Sequence, residues 1–203
     1  MKYTIVLFAV IILIFLSTKE ESILSKKIQK TDNIIAFGDS LTYGYGADME
    51  DSYPSILSKI SGYSVINAGL SGELSSQGVR RLASILDKSS AKLMILCHGG
   101  NDIIQRRSKK ELKSNLKTMI NMAKERDMQV LLVGVPDISL LGLSTLSLYE
   151  EVAMEEKILY AGDILEGIIS DDSLKSDYIH PNAKGYHIMA DEIYKILLKF
   201  GIL

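Results

Sequence analysis

Cysteine is nearly absent from this sequence. Its 203 residues include one, Cys97, so an internal disulfide and a cysteine-rich metal site are both excluded. Cys97 lies within an apolar run and reads as a small core residue rather than a reactive thiol. One-sided charge is also missing. The formal net charge is -2 and no extended basic block occurs, which argues against nucleic acid as a partner. No apolar run reaches the roughly 20 residues that a membrane span needs. Internal repeats and low-complexity tracts are absent too.

What is present fits one globular domain with a substantial core. Apolar residues make up 47% and charged residues 24%, as in ordinary soluble domains. The N-terminus stands apart. Lys2 precedes an unbroken apolar run from Ile5 to Leu16, and a polar stretch follows. This matches the first two regions of a secretory signal. No A-x-A cleavage site follows Leu16, and no nearby cysteine offers a lipoprotein anchor. Residues 1–17 therefore read as a signal peptide or a retained N-terminal membrane anchor, residues 18–32 as a polar linker and residues 33–203 as the folded domain. Either reading of the N-terminus implies export, to the periplasm or to a membrane-anchored position.

From residue 33 apolar runs alternate with amphipathic stretches. Strands are predicted at Ile34–Phe37, Tyr63–Ile66, Lys92–Cys97 and Met128–Val135, and a short one near 157–160. Helices are predicted at about 52–61, 75–88, from Ser108 with a capping box to Glu111, near 149–156, and after Asn182. Residues 137–148 are Leu/Ser-rich and weakly periodic and read as a loop. In the last helix Ala183, Tyr186, Ala190, Ile193, Leu197 and Phe200 form one stripe. The alternation predicts an open parallel sheet with helices on both faces. Ligands of such sheets bind beyond the carboxyl ends of the strands. Three strands there run into polar, glycine-containing turns: Gly38-Asp39-Ser40, Asn67 to Gly72, and Gly99 to Asp102.

An ester hydrolase needs four things on that edge: a nucleophile, a base, a group that orients the base, and donors for an oxyanion. Ser40, at a strand exit, is the candidate nucleophile; taken alone it reads more readily as a turn or capping serine. In "SDYIHPN", Asp177 and His180 lie one helical turn apart, so a carboxylate can hold one imidazole nitrogen and leave the other facing Ser40. His98 reads as a packed, hydrogen-bonded residue and His187 as structural or exposed. The candidate oxyanion donors are the backbone N–H groups of Ser40 and Gly72 and the side-chain amide of Asn101. Asp39 and Asp102 could together hold Mg²⁺, but bracing of the Ser40 turn and of the third-strand loop is the better account. No metal and no cofactor is expected. Tyr43 and Tyr45 are candidates for shaping the cleft.

In combination these segments resemble the SGNH-hydrolase (GDSL) family of esterases and lipases over residues 33 to about 200. "FGDSLTYGYG", "NAGLSGE", "GGND" and "DYIHPN" match the family's blocks in order. "SGELSSQGVRRL" is especially similar to the bacterial thioesterase I, lysophospholipase L1 and arylesterase branch. The resemblance implies a flavodoxin-like α/β/α sandwich with a five-stranded parallel sheet. It also implies a serine hydrolase with Ser40, His180 and Asp177 as triad and Ser40, Gly72 and Asn101 as oxyanion hole. The implied substrate is a small-molecule carboxylic ester, thioester or lysophospholipid. A cell-envelope carbohydrate O-acetylesterase using the same site is the alternative. The chain is expected to be monomeric and to associate with a membrane through its N-terminal segment if at all.

Overall fold

The computed structural model describes residues 25–139 and 142–203. The expected signal or anchor, residues 1–17, lies outside the described residues, as do residues 18–24 of the expected linker. Among the described residues, no helix is long and apolar enough to cross a membrane.

Five parallel strands form the central sheet: β1 (Asn33–Gly38), β2 (Ser64–Gly69), β3 (Leu93–Cys97), β4 (Gln129–Val133) and a fifth, Leu159–Ala161, in the order β2-β1-β3-β4-fifth. Every residue of β3 is buried, as are Ile34–Gly38 of β1 and Val130–Val133 of β4. Both sheet faces are therefore covered there, which is why these strands are apolar without alternation. β2 is an edge strand and correspondingly exposed. Counting parallel strands only, the order is that of a flavodoxin-like doubly wound sheet.

Short helices follow β1 and β3: α1 (Ser40–Tyr43) and, further on, α4 (Gly100–Ile104). The longer helices are α2 (Tyr53–Ser61), α3 (Ser75–Leu86), α5 (Lys109–Lys124), α6 (Ser147–Glu156), α7 (Ile164–Ser170) and α8 (Ala183–Lys199). α2, α7 and α8 pack together as one layer, and α3, α5 and α6 as the other. Ser108 caps α5 by accepting the Glu111 N–H at 3.3 Å. That helix buries Leu112, Leu116, Met119 and Ala123 at the anticipated spacing, and Ile120 besides. Asn182 caps α8, accepting the Gly185 N–H at 3.1 Å. The stripe on α8 departs from expectation at its end. Gly201 and Ile202 donate to Leu198 and Leu197 carbonyls in a Schellman motif. Ile202 is thereby buried, while Phe200 remains partly exposed.

Three expectations need correction. The loop predicted over residues 137–148 is an antiparallel hairpin, β5 (Pro136–Ser139) with β6 (Gly142–Thr145), running into the start of α6. Its second strand is tied down from afar, because Thr145 N–H donates to Glu166 at 2.7 Å and Thr145 Oγ1 donates to the Gly162 carbonyl at 3.1 Å. The fifth sheet strand, Leu159–Ala161, is thus β7 in chain order, and α7 after it has no counterpart in the sequence reading. Residues 25–32 are not a free linker. Ile28 is buried and donates its N–H to Ile202 at 2.9 Å, Tyr63 donates its hydroxyl to the Ile28 carbonyl at 3.3 Å, and Ser25 Oγ donates to the Phe200 carbonyl. Lys26 and Gln129 exchange hydrogen bonds of 2.7 and 2.5 Å.

Asn182 also donates its amide to the Ser173 and Lys175 carbonyls, at 2.9 and 3.1 Å. Asn182→Ala therefore removes a helix cap and two loop ties, and is expected to cost about 1–2 kcal/mol of stability. A lowered urea midpoint checks this; an unchanged midpoint contradicts it.

Candidate active site

The chain reverses its direction of travel across the sheet between β1 and β3, since β2 lies outside β1 and β3 on its other side. Such a switch point opens a crevice at the carboxyl ends of the two strands. Ser40 stands at the end of β1, as the first residue of α1, where its N–H has no intrahelical acceptor. Asp39 before it is buried, and its carboxylate accepts N–H bonds from Leu41 at 3.2 Å, Gly99 at 3.2 Å and Gly100 at 3.1 Å. Burial pushes its pKa up, against the pull of His98 and these amides. Asp102 accepts the Ser75 N–H at 2.8 Å and the Ser75 hydroxyl at 2.7 Å. Both carboxylates thus brace loops, as the sequence reading favoured over a Mg²⁺ site.

His180 reaches Ser40 from the far side of the crevice. Its Nε2 lies 2.9 Å from Ser40 Oγ, and its Nδ1 lies 2.8 Å from Asp177 Oδ2. The pair is not joined by a helical turn. Asp177 Oδ1 accepts the backbone N–H of Ile179 at 2.9 Å and of His180 at 2.8 Å, folding the segment into a tight Asx-type turn. Ser176 N–H closes it on the His180 carbonyl at 2.9 Å. Partial burial raises the Asp177 pKa, but the Ile179 N–H, the imidazole and the His180 N–H outweigh it, and the carboxyl lies below its ordinary value. An ionised Asp177 fixes the His180 tautomer with its proton on Nδ1, leaving Nε2 free to accept from Ser40. The Tyr45 ring packs on the imidazole at 4.5 Å, tilted by 46°. Tyr43 donates its N–H to the Asp39 carbonyl at 3.0 Å and accepts from Asn67 at its own carbonyl at 3.3 Å.

Asn101 lies in the first turn of α4, and it lines one cleft with Ser40 and His180. The Asn101 amide donates to the Glu73 carbonyl at 3.0 Å, which fixes the amide plane and leaves its second N–H available. Gly72 is exposed and does not line that cleft. Its φ of +79° requires glycine, and a Cβ there would meet no protein atom within 4 Å. Its conformation, rather than crowding, accounts for the residue. His98 is fully buried behind the site and His187 is exposed on α8. Burial of Cys97 raises its thiol pKa well above the ordinary value, as befits an inert core residue.

The cleft has a volume of about 1000 Å³. Its walls are largely apolar, built by Ile103, Leu112, Val135, Ile169 and Ile179, with Arg106, Arg107 and Lys109 exposed at its rim. Ile169 comes from α7, which the sequence reading missed. Glu73 and Arg81 were not singled out there either. They are eight residues apart with no local pattern to join them, and their pairing becomes visible only once β2 and α3 are packed.

A flavodoxin-like sandwich with a serine, a histidine and an aspartate hydrogen-bonded in line at its switch point has the parts of a serine esterase. Comparison with known proteins gives the family. Residues 36–188 match the GDSL-like lipase/acylhydrolase family. An arylesterase of Vibrio mimicus is 27% identical over 186 residues, covering 87% of this chain and 93% of the relative. A thioesterase 1/protease 1/lysophospholipase L1 of Escherichia coli is 25% identical over 182 residues, covering 86% and 88%. The crystal structure of TesA superposes with a TM-score of 0.75 at 26% identity, over 83% of this chain and 99% of the other. The chain belongs to the GDSL-like lipase/acylhydrolase family and is a carboxylic ester hydrolase.

Glu73 gives the site's neighbourhood an acid-sensitive stability. Burial raises its pKa, but hydrogen bonds and charge from Arg81 and His98 outweigh this, and the folded value lies below the ordinary 4.5. A carboxyl depressed on folding stabilises above its unfolded pKa and loses that contribution as pH falls through the folded value. The wild-type urea midpoint is therefore expected to fall below about pH 4.5 more steeply than that of Glu73→Gln, which has no such ionisation. Parallel acid limbs would contradict this.

Proposed function

We propose that Ser40, His180 and Asp177 act as a catalytic triad that hydrolyses carboxylic esters and thioesters with medium-length acyl chains. The observation that carries the reading is the unbroken hydrogen-bond chain from Asp177 through His180 to Ser40 Oγ, at 2.8 and 2.9 Å. His180 Nε2 takes the Ser40 proton as Oγ attacks the acyl carbonyl, and Asp177 stabilises the imidazolium that forms. Ser40 N–H and the free Asn101 N–H bind the oxyanion; Gly72 N–H is a third donor by the family resemblance alone, since Gly72 does not line the cleft. Collapse of the tetrahedral intermediate breaks the bond to the leaving alcohol or thiol, which takes the proton from His180. Water then attacks the acyl-enzyme, giving its proton to His180; the acyl–Oγ bond breaks as His180 passes that proton to Ser40 Oγ, and the carboxylic acid leaves. Ser40→Ala is expected to lower kcat at least ~10³-fold, and His180→Ala by a similar factor. Full activity in Ser40→Ala would refute the mechanism.

The apolar cleft beside Ser40 supports an acyl group longer than acetyl. Burying a methylene is worth about 0.8 kcal/mol, or roughly fourfold in kcat/KM per added CH₂ until the cleft is filled. Among p-nitrophenyl esters, rates should therefore rise from acetate to mid-length chains. A preference for acetate, with release of acetate from acetylated glycans, would favour the carbohydrate O-acetylesterase instead. Export is part of this proposal and rests on the Ile5–Leu16 run alone. N-terminal sequencing of protein recovered outside the cytoplasm tests it; recovery only from the cytoplasm with Met1 intact would contradict it.

A further inference from the structure

Three ionisable side chains that the proposed mechanism leaves idle lie behind the site. Glu73 is buried, and both its carboxylate oxygens are gripped by one guanidinium, Oε1 by Arg81 Nε and Oε2 by Arg81 Nη2, each at 2.6 Å. His98 Nε2 stands 3.2 Å from the same Oε2 and serves as its second donor. Its Nδ1 has no hydrogen-bond partner among the described residues and lies 4.0 Å from Asp39 Oδ2. Arg81 Nη2 donates further to the Ala68 carbonyl at 3.0 Å and the Gly38 carbonyl at 3.4 Å, and its guanidinium lies over the Phe37 ring at 4.4 Å. The ends of β1, β2 and β3 therefore converge on one carboxylate. Gly78 makes room for this, since a Cβ there would sit 2.5 Å from His98 Nε2.

Burying an ion pair is poor evidence for stability, because desolvation offsets the attraction. A planar two-point fork does supply geometry, as it fixes the acceptor in direction as well as position. The main chain of Glu73 carries the carbonyl on which the Asn101 amide rests at 3.0 Å. Whatever fixes Glu73 therefore fixes the plane of that amide and the aim of its second N–H.

We propose that Glu73, clamped by Arg81 and His98, is a positioning residue that acts through Asn101 and sets the direction of the oxyanion donor. The proposal rests on the reading of Asn101 given above. A donor held at the wrong angle loses affinity for the developing oxyanion more than for the ground-state ester, so kcat falls while KM is little changed.

The test is a double-mutant cycle on a p-nitrophenyl ester, with Glu73→Gln, Asn101→Ala and the double variant assayed well below their melting temperatures. Glu73→Gln is expected to lower kcat on the order of tenfold in the wild-type background, less than the ~10²–10³ of a whole lost donor. KM should stay within about twofold, and in the Asn101→Ala background the same change should cost less than about twofold. A purely structural role would lower activity by equal factors in both backgrounds, and that result overturns the proposal while leaving Asn101 as a donor. Unchanged kcat in Asn101→Ala would instead overturn the oxyanion reading, and this proposal with it. Should Glu73→Gln fail to fold, Arg81→Lys, which keeps the charge and loses the fork, goes through the same cycle with the same criteria.

Discussion

The carboxylate of Asp39 holds the ends of two strands together where the sheet would otherwise come apart into separate loops. β1 and β3 are neighbours in the sheet, but beyond Gly38 and Cys97 no ladder joins them. Asp39 spans that gap by accepting one N–H from its own side, Leu41, and two from the other, Gly99 and Gly100. Ser40 is thus held between two residues of the same clamp, and Asn101 follows directly on its far end. The proposed nucleophile and Asn101 are placed by one buried group rather than by two independent loops. Electrostatic catalysis depends on donors that need not reorganise during reaction, and this is the arrangement by which the fold secures it.

The imidazole is held by a different device. His180 lies on a loop, with Asp177 both shaping the turn through two backbone bonds and gripping the ring through its other oxygen. Asn182 ties the same loop to the cap of α8, and Tyr186 of α8 donates its hydroxyl to the Tyr45 carbonyl at 2.9 Å. Tyr45 in turn lies against the imidazole. A loop of this kind would ordinarily be the least ordered part of a site, and here the loop that carries the proposed base is fastened to a packed helix through Asn182. The cleft that opens beside Ser40 is walled by elements from both halves of the chain, with Ile103 from α4 and Ile169 from α7.

The strands and long helices were legible because each announces itself locally, through an apolar run, a capping box or a stripe. Ser40, Asn101 and the Asp177–His180 pair were legible through short blocks in a set order. Other features depend on distant partners and left no local mark. The β5–β6 hairpin is fastened by Glu166 and Gly162, and α7 is a short helix without a side-chain cap. The spacing of Asp177 and His180 anticipated that their side chains meet, but an Asx-type turn joins them and not a helical one. The Glu73, Arg81 and His98 cluster is drawn from three separated positions and exists only after folding. Gly72 was legible as a candidate donor, but the positive φ that demands glycine there was not.

The account stands on Ser40 as the atom that bonds to the acyl carbon. Rapid quenching of the enzyme during turnover of a slowly deacylated ester, followed by peptide mass spectrometry, tests this directly. The account requires the added mass of the acyl group on the peptide containing Ser40, at its hydroxyl. Turnover with no acylated peptide, or with the acyl group on a different residue, would contradict it.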